Sequence, residues 1–207
     1  MFPAGLQARA RAIAEMIVVP LALAGVTPNM VTFAGFLFNA VTAIVIATGH
    51  LHLGGILLLL SGGFDMLDGA LARVSRLQSA FGAFLDSFLD RYSESAILLA
   101  LIYYFAERQN LLAIILVFAV AVGSLLISYA RARAESLGIE CAVGIAPRPE
   151  RIILLGLGLL VTSATLLAAL VILAVLTHVT ALQRLYHVWR QSLPPGGLAD
   201  SRPGAES

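Results

Sequence analysis

The chain has 207 residues, enough on length alone for one or two domains. Hydrophobic residues make up 59% of it and charged residues 12%, where a soluble domain carries about 25% charged residues. Mean hydropathy is +0.93. These values exclude a soluble globular protein and describe an integral membrane protein without a sizeable extramembrane domain. The net charge is +1, and all 13 basic residues are arginine; no nucleic-acid partner is expected. A single cysteine, Cys141, excludes an intrachain disulfide framework and a CxxC metal or redox motif.

Residues 3–18 alternate Arg9, Arg11 and Glu15 with Leu6, Ile13, Met16 and Ile17, which predicts an interfacial amphipathic helix. A signal peptide has a similar outline, but Glu15 and Pro20 interrupt the apolar run it would need. A membrane-spanning helix takes about 20 mostly apolar residues. Segments 30–48, 52–74, 83–105, 111–130, 152–169 and 170–189 meet or approach that length and predict six spans. The last two are divided mainly by the polar stretch Thr162-Ser163-Ala164-Thr165. Within the second span, Gly62 and Gly63 are expected to permit close helix packing.

Arginine gathers on one side of this pattern. Arg9 and Arg11 precede span 1, Arg73 and Arg76 follow span 2, and Arg131, Arg133, Arg148 and Arg151 lie in the longest loop, 131–151. The positive-inside rule then puts both termini in the cytoplasm. The expected organisation is one membrane domain over 1–190, with 1–25 as a juxtamembrane segment, followed by a disordered Pro- and Gly-rich tail over 191–207.

The chemistry concentrates between Asp65 and Asp90, in the stretch DMLDGALARVSRLQSAFGAFLDSFLD. On a helix, Asp65, Asp68, Gly69 and Ala72 stand at i, i+3, i+4 and i+7 and share a face. Gly82, Asp86 and Asp90 follow at i, i+4 and i+8 on the next helix. Twelve uncharged residues, 53–64, precede Asp65, and twelve more, 95–106, lie beyond Asp90. Each run is about 18 Å of helix, so both aspartate pairs fall at similar depth near the cytoplasmic interface. Carboxylates converging in a low-dielectric place need cations to stay ionised. Oxygen ligands without His or Cys suit Mg²⁺ or Mn²⁺. A pair of such ions is a recurrent arrangement for phosphoryl chemistry.

The pattern D65-x2-D68-G69-x2-A72-R73-x8-G82-x3-D86-x3-D90 resembles that of the CDP-alcohol phosphotransferase family at every defined position. The resemblance implies an all-α membrane fold of six transmembrane helices, a homodimer and a divalent-metal site open to the cytoplasm. It implies transfer of a phosphatidyl group from CDP-diacylglycerol to an alcohol, with release of CMP. By the same resemblance Asp65, Asp68, Asp86 and Asp90 hold Mg²⁺ or Mn²⁺, as two ions, and Asp90 is also the base. Asp68, Gly69, Ala72 and Arg73 cradle the CDP-lipid, with Gly82 beside them. Asn29 is expected either to cap span 1 or to contact the nucleotide, and Ser79 either to cap span 3 or to touch the diphosphate.

The segments Ser128-Tyr129-Ala130-Arg131-Ala132-Arg133-Ala134-Glu135 and Arg148-Pro149-Glu150-Arg151 resemble the bacterial phosphatidylinositol-phosphate synthase branch. So do Thr27-Pro28-Asn29 and Gln183-Arg184-Leu185 with Trp189. This branch implies inositol phosphate as acceptor, held by Arg131, Arg151 and Arg184, with Arg133 nearby. Many relatives have lysine where this chain has Arg131. The alternatives are a glycerol-phosphate acceptor and an archaeal-type ether lipid. An ion-coupled transporter is the reading from another class; it would place its carboxylates at the midplane within inverted repeats, and the sequence shows neither. Glu94, one turn beyond Asp90, is expected to support the site or to make a helix contact.

Overall fold

The computed structural model of the chain describes residues 18–75 and 79–193, without the side chains of Asp65, Met66 and Asp68. The interfacial helix expected over 3–18 and nearly all of the tail expected over 191–207 lie outside the described residues. Residues 18–23 are helical. Six helices follow: α1 Pro28–Ala47, α2 Leu51–Ser75, α3 Ala80–Ala106, α4 Leu111–Ser136, α5 Arg148–Leu160 and α6 Ser163–Gln191. The described residues contain no strand.

The helices start where polar side chains stand in for the missing backbone acceptors. Thr27 accepts from the Met30 amide at 3.3 Å, with Pro28 in the first turn of α1. Asn110 accepts from the Ala113 amide at 3.1 Å to open α4. Thr162 and Thr165 form a reciprocal capping box at the start of α6. Thr27 therefore holds the cap position of α1, and Asn29 does not.

The bounds of the first three helices match those expected for the first three spans to within three residues. The later ones differ in two ways. Helix α4 does not end near residue 130 but runs through Ser136, so Arg131 and Arg133 lie on a helix and the loop shrinks to 137–147. The expected boundary between 152–169 and 170–189 also moves, because the Thr162 box starts a helix. The chain instead makes 13 residues of α5 and 29 of α6. Among the described residues, α1, α2, α4 and α6 are long and apolar enough to cross a membrane. Helix α5 measures about 20 Å, short of a hydrocarbon core of about 30 Å. Helix α3 has 27 residues, but Asp86, Asp90, Arg91 and Glu94 make its first half polar.

Helix α1 packs against α2 and α3, α4 against α3 and α6, and α5 against α2 and α6. Ile46, Ile97, Leu101, Val117, Leu170 and Leu173 fill the interior. Leu37, Ile44, Leu99, Phe118, Val175 and Leu182 stand on the outer surface, where lipid tails are the apolar partner. Close helix approach falls at other glycines than expected. Among the described residues, a Cβ at Gly62 or Gly63 would meet nothing within 4 Å. At Gly55 it would come within 2.9 Å of the Gly156 carbonyl oxygen, and at Gly156 within 2.7 Å of Leu59 Cδ2. The α2–α5 contact therefore needs these two glycines. We expect Gly156→Leu to destabilise the fold by about 1–3 kcal/mol through overpacking, seen as a lower thermal midpoint in detergent. Gly62→Ala should leave the midpoint near wild type.

Candidate active site

One end of the bundle is built from the starts of α1, α3 and α5 and the last turns of α2, α4 and α6. Three helix N-termini thus turn their partial positive charge toward this end, which favours anions. Helix α1 packs on both α2 and α3 and leaves a cleft between those two.

This cleft has a volume of about 560 Å³. Asn29 and Thr32 of α1 form its floor, Gly69, Ala72 and Arg73 of α2 one wall, and Ser79, Gly82 and Asp86 the other. All the residues expected at the CDP-lipid are here, apart from Asp68, whose side chain is outside the described residues. Ser79 accepts from the Gly82 amide at 2.9 Å and so caps α3 while lining the cleft. The glycines keep the space open. A Cβ at Gly82 would stand 3.0 Å from both Asn29 Oδ1 and Ser79 Oγ, and one at Gly69 would meet the Arg73 guanidinium at 3.6 Å.

Beside this cleft lies a narrow passage lined by Thr32, Phe64, Asp86, Asp90, Ser93 and Arg148, which shares Thr32 and Asp86 with the cleft. It shares Asp90 and Arg148 with a second cavity of about 100 Å³, lined by Asp90, Glu94, Arg131, Arg148, Arg151 and Arg184. Gly82, Asp86, Asp90 and Glu94 stand at successive i+4 positions, so one face of α3 runs through both spaces. Asp90 sits at the junction.

The arginines do different things. Arg148 Nη1 lies 2.7 Å from Asp90 Oδ1, and Arg91 Nη1 is 3.6 Å from Asp90 Oδ2. Arg151 is 5% exposed and forks onto Glu94, with Nε to Oε1 and Nη2 to Oε2 both at 3.0 Å. Its Nη1 donates to the Ala146 carbonyl at 3.1 Å. Arg184 is buried and pins the 137–147 loop, donating from Nε to Val143 O at 2.9 Å and from Nη1 to Ile127 O at 2.6 Å. Arg131 is exposed and pairs with Glu135 at 2.8 Å. Arg133 does not join this cavity; it is exposed and bonds Ser136 instead. Two residues from Arg131 on a helix, it faces another way. Arg148 is the member that the sequence reading did not assign to the site, and Glu94 was left between supporting the site and a helix contact. Their signal was the matched spacing: Asp90 and Glu94 four apart on α3, Arg148 and Arg151 three apart on α5.

Residues 25–185 match the CDP-alcohol phosphatidyltransferase family. The chain belongs to that family. It is 41% identical to the archaetidylinositol phosphate synthase of Methanothermobacter thermautotrophicus, over 79% of this chain and 83% of that protein. It is 36% identical to the phosphatidylinositol phosphate synthase of Mycobacteroides abscessus, over 89% of this chain and 85% of that protein. The Mycobacterium tuberculosis phosphatidylinositol phosphate synthase, solved with CDP-DAG bound, superimposes with a TM-score of 0.81 at 34% identity, covering 90% of this chain and 97% of that one. The same enzyme, solved with manganese and citrate, gives a TM-score of 0.79 at 32% identity, covering 89% and 91%.

This phosphatidyltransferase has a donor set that fits a hard divalent cation. Asp86 and Asp90 present carboxylates one turn apart on α3, with no His or Cys among the residues lining the cleft or the passage. Across the gap, Phe64 and Gly69 border the passage and the cleft, so the α2 turn that carries Asp65 and Asp68 borders the same space. Asp90 already draws two guanidiniums, which marks the junction as a place for positive charge.

The open wall at Gly69 gives a direct check. Gly69→Leu would project its side chain toward the Arg73 guanidinium and into the cleft. We expect the KM for CDP-diacylglycerol to rise roughly tenfold or more, about 1.4 kcal/mol or more of lost binding, with CMP release as the assay. The acceptor KM should move by less than twofold.

Proposed function

We propose that the protein transfers a phosphatidyl group from CDP-diacylglycerol to a hydroxyl of myo-inositol phosphate, giving phosphatidylinositol phosphate and CMP. The observation that carries this reading is the second cavity: it shares Asp90 with the narrow passage beside the cleft and is lined by arginines from α4, α5 and α6. A phosphate ester suits that arrangement, because each guanidinium offers charge-assisted hydrogen bonds in planar geometry. Further support comes from relatives in both lipid classes, whose names share the inositol phosphate head group and differ in the lipid.

In this reading Arg73 pairs with the diphosphate of the CDP-lipid, and Gly69 and Gly82 make room for it. Asp65, Asp68, Asp86 and Asp90 would hold two divalent ions, which would neutralise the diphosphate and the charge developing in the transition state. The acceptor hydroxyl oxygen attacks the phosphorus that carries the diacylglycerol. The bond from that phosphorus to the CMP oxygen breaks, and CMP leaves. Asp90 takes the hydroxyl proton; its place at the junction suits it to both substrates. We read the site and both termini as cytoplasmic, supported by the arginines around the two spaces.

Asp90→Asn should retain CDP-diacylglycerol binding while transfer falls by about 10²–10⁴-fold. Near wild-type turnover in this variant would remove Asp90 as base. Arg184→Ala should raise the inositol phosphate KM by roughly tenfold or more, from the loss of charge-assisted bonds of about 1.5–3 kcal/mol each. Equal use of inositol phosphate and glycerol phosphate by the wild type would remove the acceptor assignment.

A further inference from the structure

Glu94 has no place in the transfer chemistry, yet it stands in the second cavity beneath Asp90. Its partner Arg151 is 5% exposed, and a guanidinium so buried is held by the bonds around it. An arginine carries five N–H donors. Glu94 takes two of them along the Nε/Nη2 side, and the Ala146 carbonyl takes one from Nη1. Two donors remain, one on each terminal nitrogen. Glu94 thus consumes the lateral edge of the fork and does not compete for the terminal edge. The rung below Asp90–Arg148 repeats the same carboxylate–guanidinium contact between α3 and α5.

We propose that Glu94 is a positioning residue for the acceptor: it locks the Arg151 guanidinium so that its terminal Nη1/Nη2 edge is presented to the acceptor phosphate. Freed of Glu94, the arginine would have to give up rotamer freedom each time a phosphate bound. A purely electrostatic role has the opposite sign. A carboxylate near a phosphate repels it, so its removal would tighten the acceptor. This inference rests on the acceptor reading above, and Arg184→Ala serves as that reading's own control.

The test uses Glu94→Asp, which keeps the charge but withdraws the carboxylate by one methylene, and Glu94→Gln, which keeps the shape. Steady-state KM values for inositol phosphate and CDP-diacylglycerol are measured, together with inhibition by inorganic phosphate. We expect Glu94→Asp to raise the inositol phosphate KM and the phosphate Ki about tenfold, with the CDP-diacylglycerol KM within twofold. We expect Glu94→Gln to move them in the same direction. In an Arg151→Ala background the Glu94 substitutions should add nothing further, since Glu94 acts through Arg151. An unchanged or lowered acceptor KM in Glu94→Asp overturns the proposal. So does a parallel rise in both KM values with a lower thermal midpoint, which marks a structural tie. If Arg184→Ala also leaves the acceptor KM unchanged, the cavity itself is not the acceptor site. If only the Glu94 variants are silent, the cavity stands and the positioning role falls.

Discussion

Charge placed inside a low-dielectric bundle has to be balanced locally, and the face of α3 that carries Asp86, Asp90 and Glu94 sets that requirement. Uncompensated, these carboxylates would cost several kcal/mol each. Two kinds of compensation meet along the one face. Toward the cleft between α2 and α3, the aspartate-bearing turn of α2 lies across a gap suited to divalent ions. Toward the loop side, α5 supplies Arg148 and Arg151 at the spacing that matches Asp90 and Glu94. The i+4 register of Gly82, Asp86, Asp90 and Glu94 makes one face of α3 a wall of both the cleft and the second cavity. Asp90 is where they meet.

The rest of the fold serves that face. Helix α1 wedges α2 from α3 and so makes a cleft where two helices might have packed directly. Helix α5 is too short for a full crossing, but its first turn delivers both arginines, and Gly55 and Gly156 let it sit close against α2. The 137–147 loop is tied down by Arg184 and by Thr180, whose hydroxyl accepts from the Ala146 amide at 3.1 Å. That fixes Ala146, which in turn accepts from Arg151. Arg184 is therefore both a cavity wall and part of the scaffold that holds its neighbour.

Much of this was legible in the sequence because the informative residues lie at helical spacings. The positions from Gly69 to Asp86 predicted a shared space, and Gly69, Ala72, Arg73, Ser79, Gly82 and Asp86 do line one cleft. Four things were not legible. The α5–α6 boundary was set at 169/170, nine residues past the end of α5 and seven past the start of α6, although the polar stretch from Thr162 that divides the two was named; hydropathy alone does not show that its threonines form a capping box. Arg133 was grouped with Arg131 by proximity along the chain, although residues two apart on a helix diverge. The Glu94–Arg151 and Asp90–Arg148 pairs are long-range contacts, and a single sequence carries only their matched spacing. Gly62 and Gly63 looked like packing positions, but close approach depends on the neighbouring helix, which composition does not reveal.

The central claim is that the arginine-lined cavity joined at Asp90 receives a phosphorylated alcohol. Its most direct test is CMP release by the purified protein from CDP-diacylglycerol with Mg²⁺, comparing myo-inositol phosphate with free myo-inositol. Converging guanidiniums that each contribute about 1.5–3 kcal/mol to a phosphate predict a kcat/KM at least about a hundredfold higher for the phosphate ester, at about 1.4 kcal/mol per decade. Equal kcat/KM for the two would contradict the account and leave the arginines as membrane-face and scaffold residues.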